Sequence, residues 1–270
     1  MRQQIPRVIL DGTMFNVDYH QKQFVQASYG ENTIPFSALK EKSGQLILRY
    51  DIYNKCAADD PRSNRYDPKK NILIPKEILD SPELLMDQKG YCKQHNQQSY
   101  TGKHNILLID DQIGDRLSGA LPVIEIAGHP FYVDLRMQAI RPKDDFMQIL
   151  SFRDMYLYKE DGSQFFYKPE NHELIKLNDE TITEFPPGIV AVHLPSAKVM
   201  DPISYARLNL QEETSLLPGY PQQQLRIADV KPLNRTWIAS AIKRNKAKAA
   251  ELDSQQAKPK QATRNSNRIR

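Results

Sequence analysis

Ile5-Pro-Arg-Val-Ile-Leu-Asp-Gly-Thr-Met-Phe-Asn-Val-Asp18 aligns without a gap on Leu121-Pro-Val-Ile-Glu-Ile-Ala-Gly-His-Pro-Phe-Tyr-Val-Asp134. Five of the fourteen positions are identical: Pro6/Pro122, Gly12/Gly128, Phe15/Phe131, Val17/Val133 and Asp18/Asp134. Three more exchange one aliphatic residue for another. A second block keeps the register: Ile74-Pro75 followed by Ser81-Pro82 corresponds to Leu194-Pro195 followed by Asp201-Pro202, with both pairs of prolines seven residues apart. A repeat of this length makes the chain a duplication, with copies at roughly 5–90 and 121–210.

Within each copy the pattern is that of strands. Val8 and Leu10, then Phe15 and Val17, alternate around Asp11-Gly12, the signature of a β-hairpin whose glycine supplies a positive φ. Gly128 takes the same role. Gln45–Tyr53, Asp154–Lys159 and Gln164–Lys168 extend the strand pattern, the last two joined through Glu160-Asp-Gly-Ser163. Short apolar strands at Ile72–Ile74 and Ile189–His193 precede each proline pair, and Pro82–Gln88 and Pro202–Asn209 then open short helices at their first turn. Several antiparallel strands followed by one short helix, twice over, predict an α+β fold.

The polar segments Lys55–Lys70 and Lys89–Asn105 read as loop or linker. Asn234 is placed to cap a helix carrying Trp237, Ile238, Ala241 and Ile242 on one face, which should dock on the body. Residues 252–270 have almost no apolar side chains, so they cannot offset the entropy of being fixed and are expected to be disordered. The expected organisation is a first repeat at 1–90, a connection at 91–120, a second repeat at 121–220, a docking segment and basic helix at 221–251, and the tail at 252–270.

Composition narrows the setting. No run approaches the roughly 18 consecutive apolar residues of a membrane-spanning helix, and Met1–Pro6 lacks an apolar signal core, so a cytoplasmic protein with no membrane partner is expected. Cys56 and Cys92 are too few for a disulfide framework. The net charge of +4 conceals an asymmetry: residues 225–270 carry 12 Lys or Arg against 3 Asp or Glu, which is 12 − 3 = +9 and leaves 25 − 30 = −5 for residues 1–224. Basic character belongs to the end of the chain.

Ile124-Glu-Ile-Ala-Gly-His-Pro-Phe-Tyr-Val-Asp-Leu-Arg-Met137, followed by Arg141-Pro-Lys-Asp-Asp-Phe146, resembles a family of uncharacterised bacterial proteins associated with mobile genetic elements. The similarity extends through Ile182-Thr-Glu-Phe-Pro186 and Lys231–Lys243. It implies a bacterial cytoplasmic setting and assigns no active-site residue.

Several motifs point to chemistry and fail on detail. Val8-Ile-Leu-Asp-Gly-Thr13 resembles the nucleophile strand of haloacid-dehalogenase-type phosphatases, but Ile9 stands where the nucleophilic aspartate belongs. Asp11 has Ala127 as its counterpart, so it cannot form a shared-proton dyad across the repeat. Asp18 and Asp134 are read as turn acceptors for backbone N–H groups. Ile106-Leu-Leu-Ile-Asp-Asp-Gln112 resembles the opening strand of a receiver domain, yet the second copy begins too soon after it, so it is read as one strand entering that copy. Cys92-Lys-Gln-His95 with Cys56 and His104 offers zinc-type donors without two close pairs. His20, His129, His172 and His193 are scattered singly. Tyr156, Tyr158, Phe165 and Tyr167, flanked by Arg153, Lys159 and Lys168, could share one sheet face as a stacking surface for bases, although strands of this kind usually turn such residues inward.

These observations predict a non-enzymatic binding or adaptor protein, with no cofactor and no metal. Its expected partner is nucleic acid or an acidic protein, met through Lys243, Arg244, Lys246, Lys248, Lys258, Lys260, Arg264, Arg268 and Arg270. The alternative is a hydrolase using acids between the two repeats.

Overall fold

Asp11 and Gly12 both take positive φ (46° and 86°), and Ala127 and Gly128 repeat the pair at 51° and 85°. Two successive residues of this kind make a tight hairpin turn whose twist matches that of the flanking strands. The computed structural model, which describes residues 5–99, 106–158, 162–219 and 227–256, is built outward from these two turns.

In the first copy, β1 (Arg7–Leu10), β2 (Thr13–Asp18), β3 (Gln23–Gln26) and β4 (Thr33–Pro35) form an antiparallel meander. β5 (Lys40–Lys42), β6 (Gln45–Asp51), β7 (Cys56–Ala57) and β8 (Lys69–Ile74) form a second sheet. Helix α1 (Glu77–Asp80) and a 3₁₀ turn at Pro82–Met86 follow. Val8, Phe15, Val17 and Phe24 from one sheet and Leu48, Tyr50, Ile72 and Ile74 from the other bury one shared core.

Residues 91–120 carry α2 (Tyr91–Ser99), β9 (Ile106–Leu108) and α3 (Asp111–Leu117). The expectation of a loop at Lys89–Asn105 is therefore corrected over its first half. The Asp87 carboxylate starts α2 by accepting from the N–H groups of Gly90 and Tyr91. The Asn96 amide then binds both backbone groups of Leu108. Side-chain-to-backbone bonds, rather than an apolar stripe, fix this helix. β9 is also corrected: it pairs with β1, Ile9 opposite Leu107, and completes the first copy's five-stranded sheet instead of entering the second copy.

The second copy repeats the plan. β10 (Val123–Ile126), β11 (His129–Asp134), β12 (Ala139–Pro142) and β13 (Leu150–Ser151) form its meander, and β14 (Tyr156–Tyr158), β15 (Gly162–Lys168), β16 (Glu173–Ile175) and β17 (Val190–Leu194) its second sheet. Ile124 faces Phe131 as Val8 faces Phe15, and Gln164 faces His193 as Ile47 faces Leu73. Asp18 and Asp134 both end their strands, accepting from the N–H of Gln21 and of Met137 in the turns that follow. Helices α4 (Ala197–Met200) and α5 (Pro202–Leu208) come next, then β18 (Asp229–Pro232) on the edge of β17 and α6 (Trp237–Gln256). No described helix is long and apolar enough to cross a membrane.

The aromatic surface is corrected. Phe165 and Tyr167 are fully buried in the second core, whereas Tyr156, paired with Gln164, lies on the opposite face against Phe166 and Trp237. Period-two alternation of β15 separates the two groups. Asn234 is not the cap of α6; it sits in a 3₁₀ turn at Leu233–Arg235, and the Thr236 hydroxyl accepts from the N–H of Ile238.

Candidate functional site

Helix α6 presents the basic residues expected to meet a partner. Ile238, Ala241 and Ile242 are buried, and Ile238 and Ile242 pack with Phe166, Ala191 and Leu233 on the back of β15 and β17. The buried Asn245 amide donates to the carbonyl oxygens of Asp179 and Ile182 and closes this contact. Lys243, Arg244, Lys246 and Lys248 are all exposed. Arg244 lies 3.9 Å from Asp179; Lys243, Lys246 and Lys248 form no ion pair among the described residues. Lys258, Lys260, Arg264, Arg268 and Arg270 lie outside the described residues, as do Lys159 and His104.

The stacking faces of the second copy are occupied by its own rings. Tyr158 lies flat on His193, with centroids 4.2 Å apart and planes within 10°. His193 in turn approaches Asp229 at 3.2 Å, and Asp229 pairs with Lys231 at 2.7 Å.

Between the copies, the carboxylates Asp201 and Glu212 hold the seam. Asp201 is fully buried, receives Nη2 of Arg116 and caps α5 through the N–H of Ser204. Glu212 accepts from the N–H of Met14 at 3.2 Å, and burial raises its pKa while that bond and Lys55 oppose the rise. Thr214 donates to the Gly12 carbonyl at 2.7 Å, so the stretch after α5 lies across the first hairpin turn. Ile9, Leu107, Ile113, Ile203 and Leu217 fill the seam. A cleft of about 430 Å³ opens beside it, lined by Gln112, Asp115, Arg116, Glu125 and Met200 among others. Its buried polar group is Arg116, which is engaged with Asp201.

Cys56 and Cys92 join no cluster of metal-ligating groups among the described residues. Both are free and buried, Cys92 within the first core, and burial pushes their thiols up to about 11 and about 12.

A different set of donors does converge. His129 opens β11, His172 sits at φ +53° in the turn between β15 and β16, and Asp144 follows β12. Their ligand atoms all lie within 4.8 Å of one another, and Nε2 of His172 is 3.3 Å from Oδ2 of Asp144. The imidazole rings meet edge to face with centroids 4.7 Å apart. On its other nitrogen, His172 is hydrogen-bonded by the Tyr167 hydroxyl at 2.6 Å. Backbone bonds set the loop bearing Asp144: Lys143 N–H donates to the Pro130 carbonyl, and the Gln148 amide donates to the His172 carbonyl at 2.7 Å. The three residues are far apart in sequence, so spacing gave no sign of them. The signal available was a departure from the repeat, His129 standing opposite Thr13.

No family model, no curated protein and no solved structure matches the chain.

Proposed function

We propose that the chain is a non-enzymatic binding protein that engages a polyanionic partner, nucleic acid foremost, along the outward half of α6. The observation that carries this reading is the change in α6 at Asn245. Up to that residue the helix has a buried face; among the residues after it whose side chains are described, Lys246 to Ser254, all are exposed. A short helical stretch with no tertiary contact is marginal in water, so its docked first turns hold the rest as a projecting handle. Lys246 and Lys248 stand on it, with Lys243 one turn before, and none of the three has a partner carboxylate among the described residues; the first 224 residues of the chain carry −5. Cations so placed neutralise phosphates and release counterions.

Binding of a labelled duplex and a labelled single strand, measured by fluorescence anisotropy at several salt concentrations, tests the proposal. Affinity is expected to fall steeply with salt. On duplex, K243E/K246E/K248E should flatten the log–log slope by roughly 0.9 for each phosphate it leaves without a cation. Absence of binding at low salt, or a slope unchanged by the triple substitution, rejects it.

A further inference from the structure

The repeat itself shows what is unusual about the second copy. At the hairpin turn of the first copy, Tyr50 in β6, Thr13 and Lys55 surround a carboxylate that arrives from elsewhere in the chain, Glu212. Tyr167, His129 and His172 occupy the matching positions of the second copy: β6 and β15 share one pairing register, and Lys55 and His172 share a left-handed turn with φ of +56° and +53°. Each copy therefore places a carboxylate beside the same set of positions. In the first, Lys55 brings a fixed positive charge toward Glu212. In the second, Asp144 faces two imidazoles, and no Lys or Arg forms an ion pair with it among the described residues. A neutral imidazole brings no charge; it brings a nitrogen lone pair.

We infer that His129, Asp144 and His172 form a site for one divalent transition-metal ion of the zinc class, bound through two imidazole nitrogens and one carboxylate oxygen. Donor chemistry fits: imidazole suits Zn²⁺, Cu²⁺, Ni²⁺ and Fe²⁺, and two histidines with one acid leave a coordination position open for an outside ligand. The spacing fits as well. Two ligands at about 2.1 Å from a tetrahedral ion lie about 3.4 Å from each other, and the His172–Asp144 separation is already 3.3 Å. The other two separations lie within 4.8 Å and both involve His129, whose ring is only partly buried and would turn toward Nε2 of His172 and the 65% exposed Asp144 carboxylate.

The supporting shell is formed too. Tyr167 is fully buried, so its ring is fixed, and its oxygen holds the far nitrogen of His172 and with it the direction of Nε2. Outer-sphere partners of this kind orient ligating histidines. The His129 ring has no hydrogen-bond partner among the described residues, which leaves its nitrogens available. A hydrogen-bonded His172–Asp144 pair would explain those two residues alone; it gives no account of a second imidazole stacked edge-on against the first.

The test uses full-length protein stripped with a chelator and titrated with Co²⁺, whose visible absorption reports coordination, and then with Zn²⁺ in competition. One tightly bound ion per chain is expected, displaced by Zn²⁺. His129→Ala, His172→Asn and Asp144→Asn should each lower affinity at least tenfold, and Tyr167→Phe by roughly 10–100-fold. Asparagine at 172 tolerates the left-handed backbone, and circular dichroism of each metal-free variant checks folding. A readout on the unmodified protein runs beside these: the imidazole resonances of His129 and His172 should shift on adding Zn²⁺ while those of His20 stay in place. Failure of the unmodified chain to develop Co²⁺ absorption, or affinity within about twofold of the parent in all three ligand variants, overturns the inference.

Discussion

Gly12 and Gly128 have the same backbone conformation and different neighbours. A Cβ on Gly12 would come within 2.8 Å of the Ser215 carbonyl oxygen, whereas one on Gly128 would meet nothing within 4 Å. Gly128→Ala should therefore cost only the left-handed penalty, about 1–2 kcal/mol, and Gly12→Ala clearly more, as read from urea denaturation midpoints. Phe131, fully buried at the centre of the second core, gives a larger effect: Phe131→Ala is expected to cost about 3–5 kcal/mol by the same measurement. Asp51 sets a pH dependence. Burial alone would raise its pKa, but the backbone N–H of Asn54, the Lys69 ammonium and the Ser63 hydroxyl outweigh burial and hold it well below the carboxylate range. A depressed folded-state pKa contributes stability that is present above the unfolded value of about 4 and lost as pH falls toward the folded one. Denaturation midpoints should decline below about pH 4, and Asp51→Asn should flatten that part of the profile.

Among the elements, the seam pair between α3 and the start of α5 has the most to lose. Replacing Arg116 with Met strands the Asp201 carboxylate in the interior, at a cost of about 3–5 kcal/mol. Replacing both (R116M/D201N) should recover much of that loss, and a double-mutant cycle in urea measures the coupling. The hairpins, the burial of Phe15, Val17, Phe131 and Val133, and the docking of α6 through Ile238 and Ile242 were legible because each rests on apolar periodicity or an obligatory glycine. Helix α2 was not, since Asn96 and Asp87 fix it through polar bonds that leave no periodic mark. The His129–Asp144–His172 cluster was illegible for another reason. Its members lie at the start of one strand, in the stretch after another and in a separate turn, and no spacing in the sequence shows that these meet. Of the basic residues, α6 places four on one projecting helix, an arrangement their spacing alone made readable.

At the scale of the molecule, the two copies share strand order and differ in what surrounds them. β9 covers the free edge of β1, while β10 at the matching edge is met, among the described residues, by a single parallel bridge from Ile227 to Glu125. The contact joining the copies is likewise one-sided. The stretch after α5 lies on the first hairpin turn, and the turn at Gly128 meets no counterpart of it among the described residues. Such a head-to-tail joint differs from the self-complementary face of a two-fold dimer: in principle it can be repeated by molecule after molecule, growing a filament. The second turn differs from the first in one donor of that joint. Met14 offers Glu212 a backbone N–H, and the residue in its place is Pro130, which has none. A second segment like the one after α5, laid on the turn at Gly128, would find no N–H at Pro130 for its carboxylate.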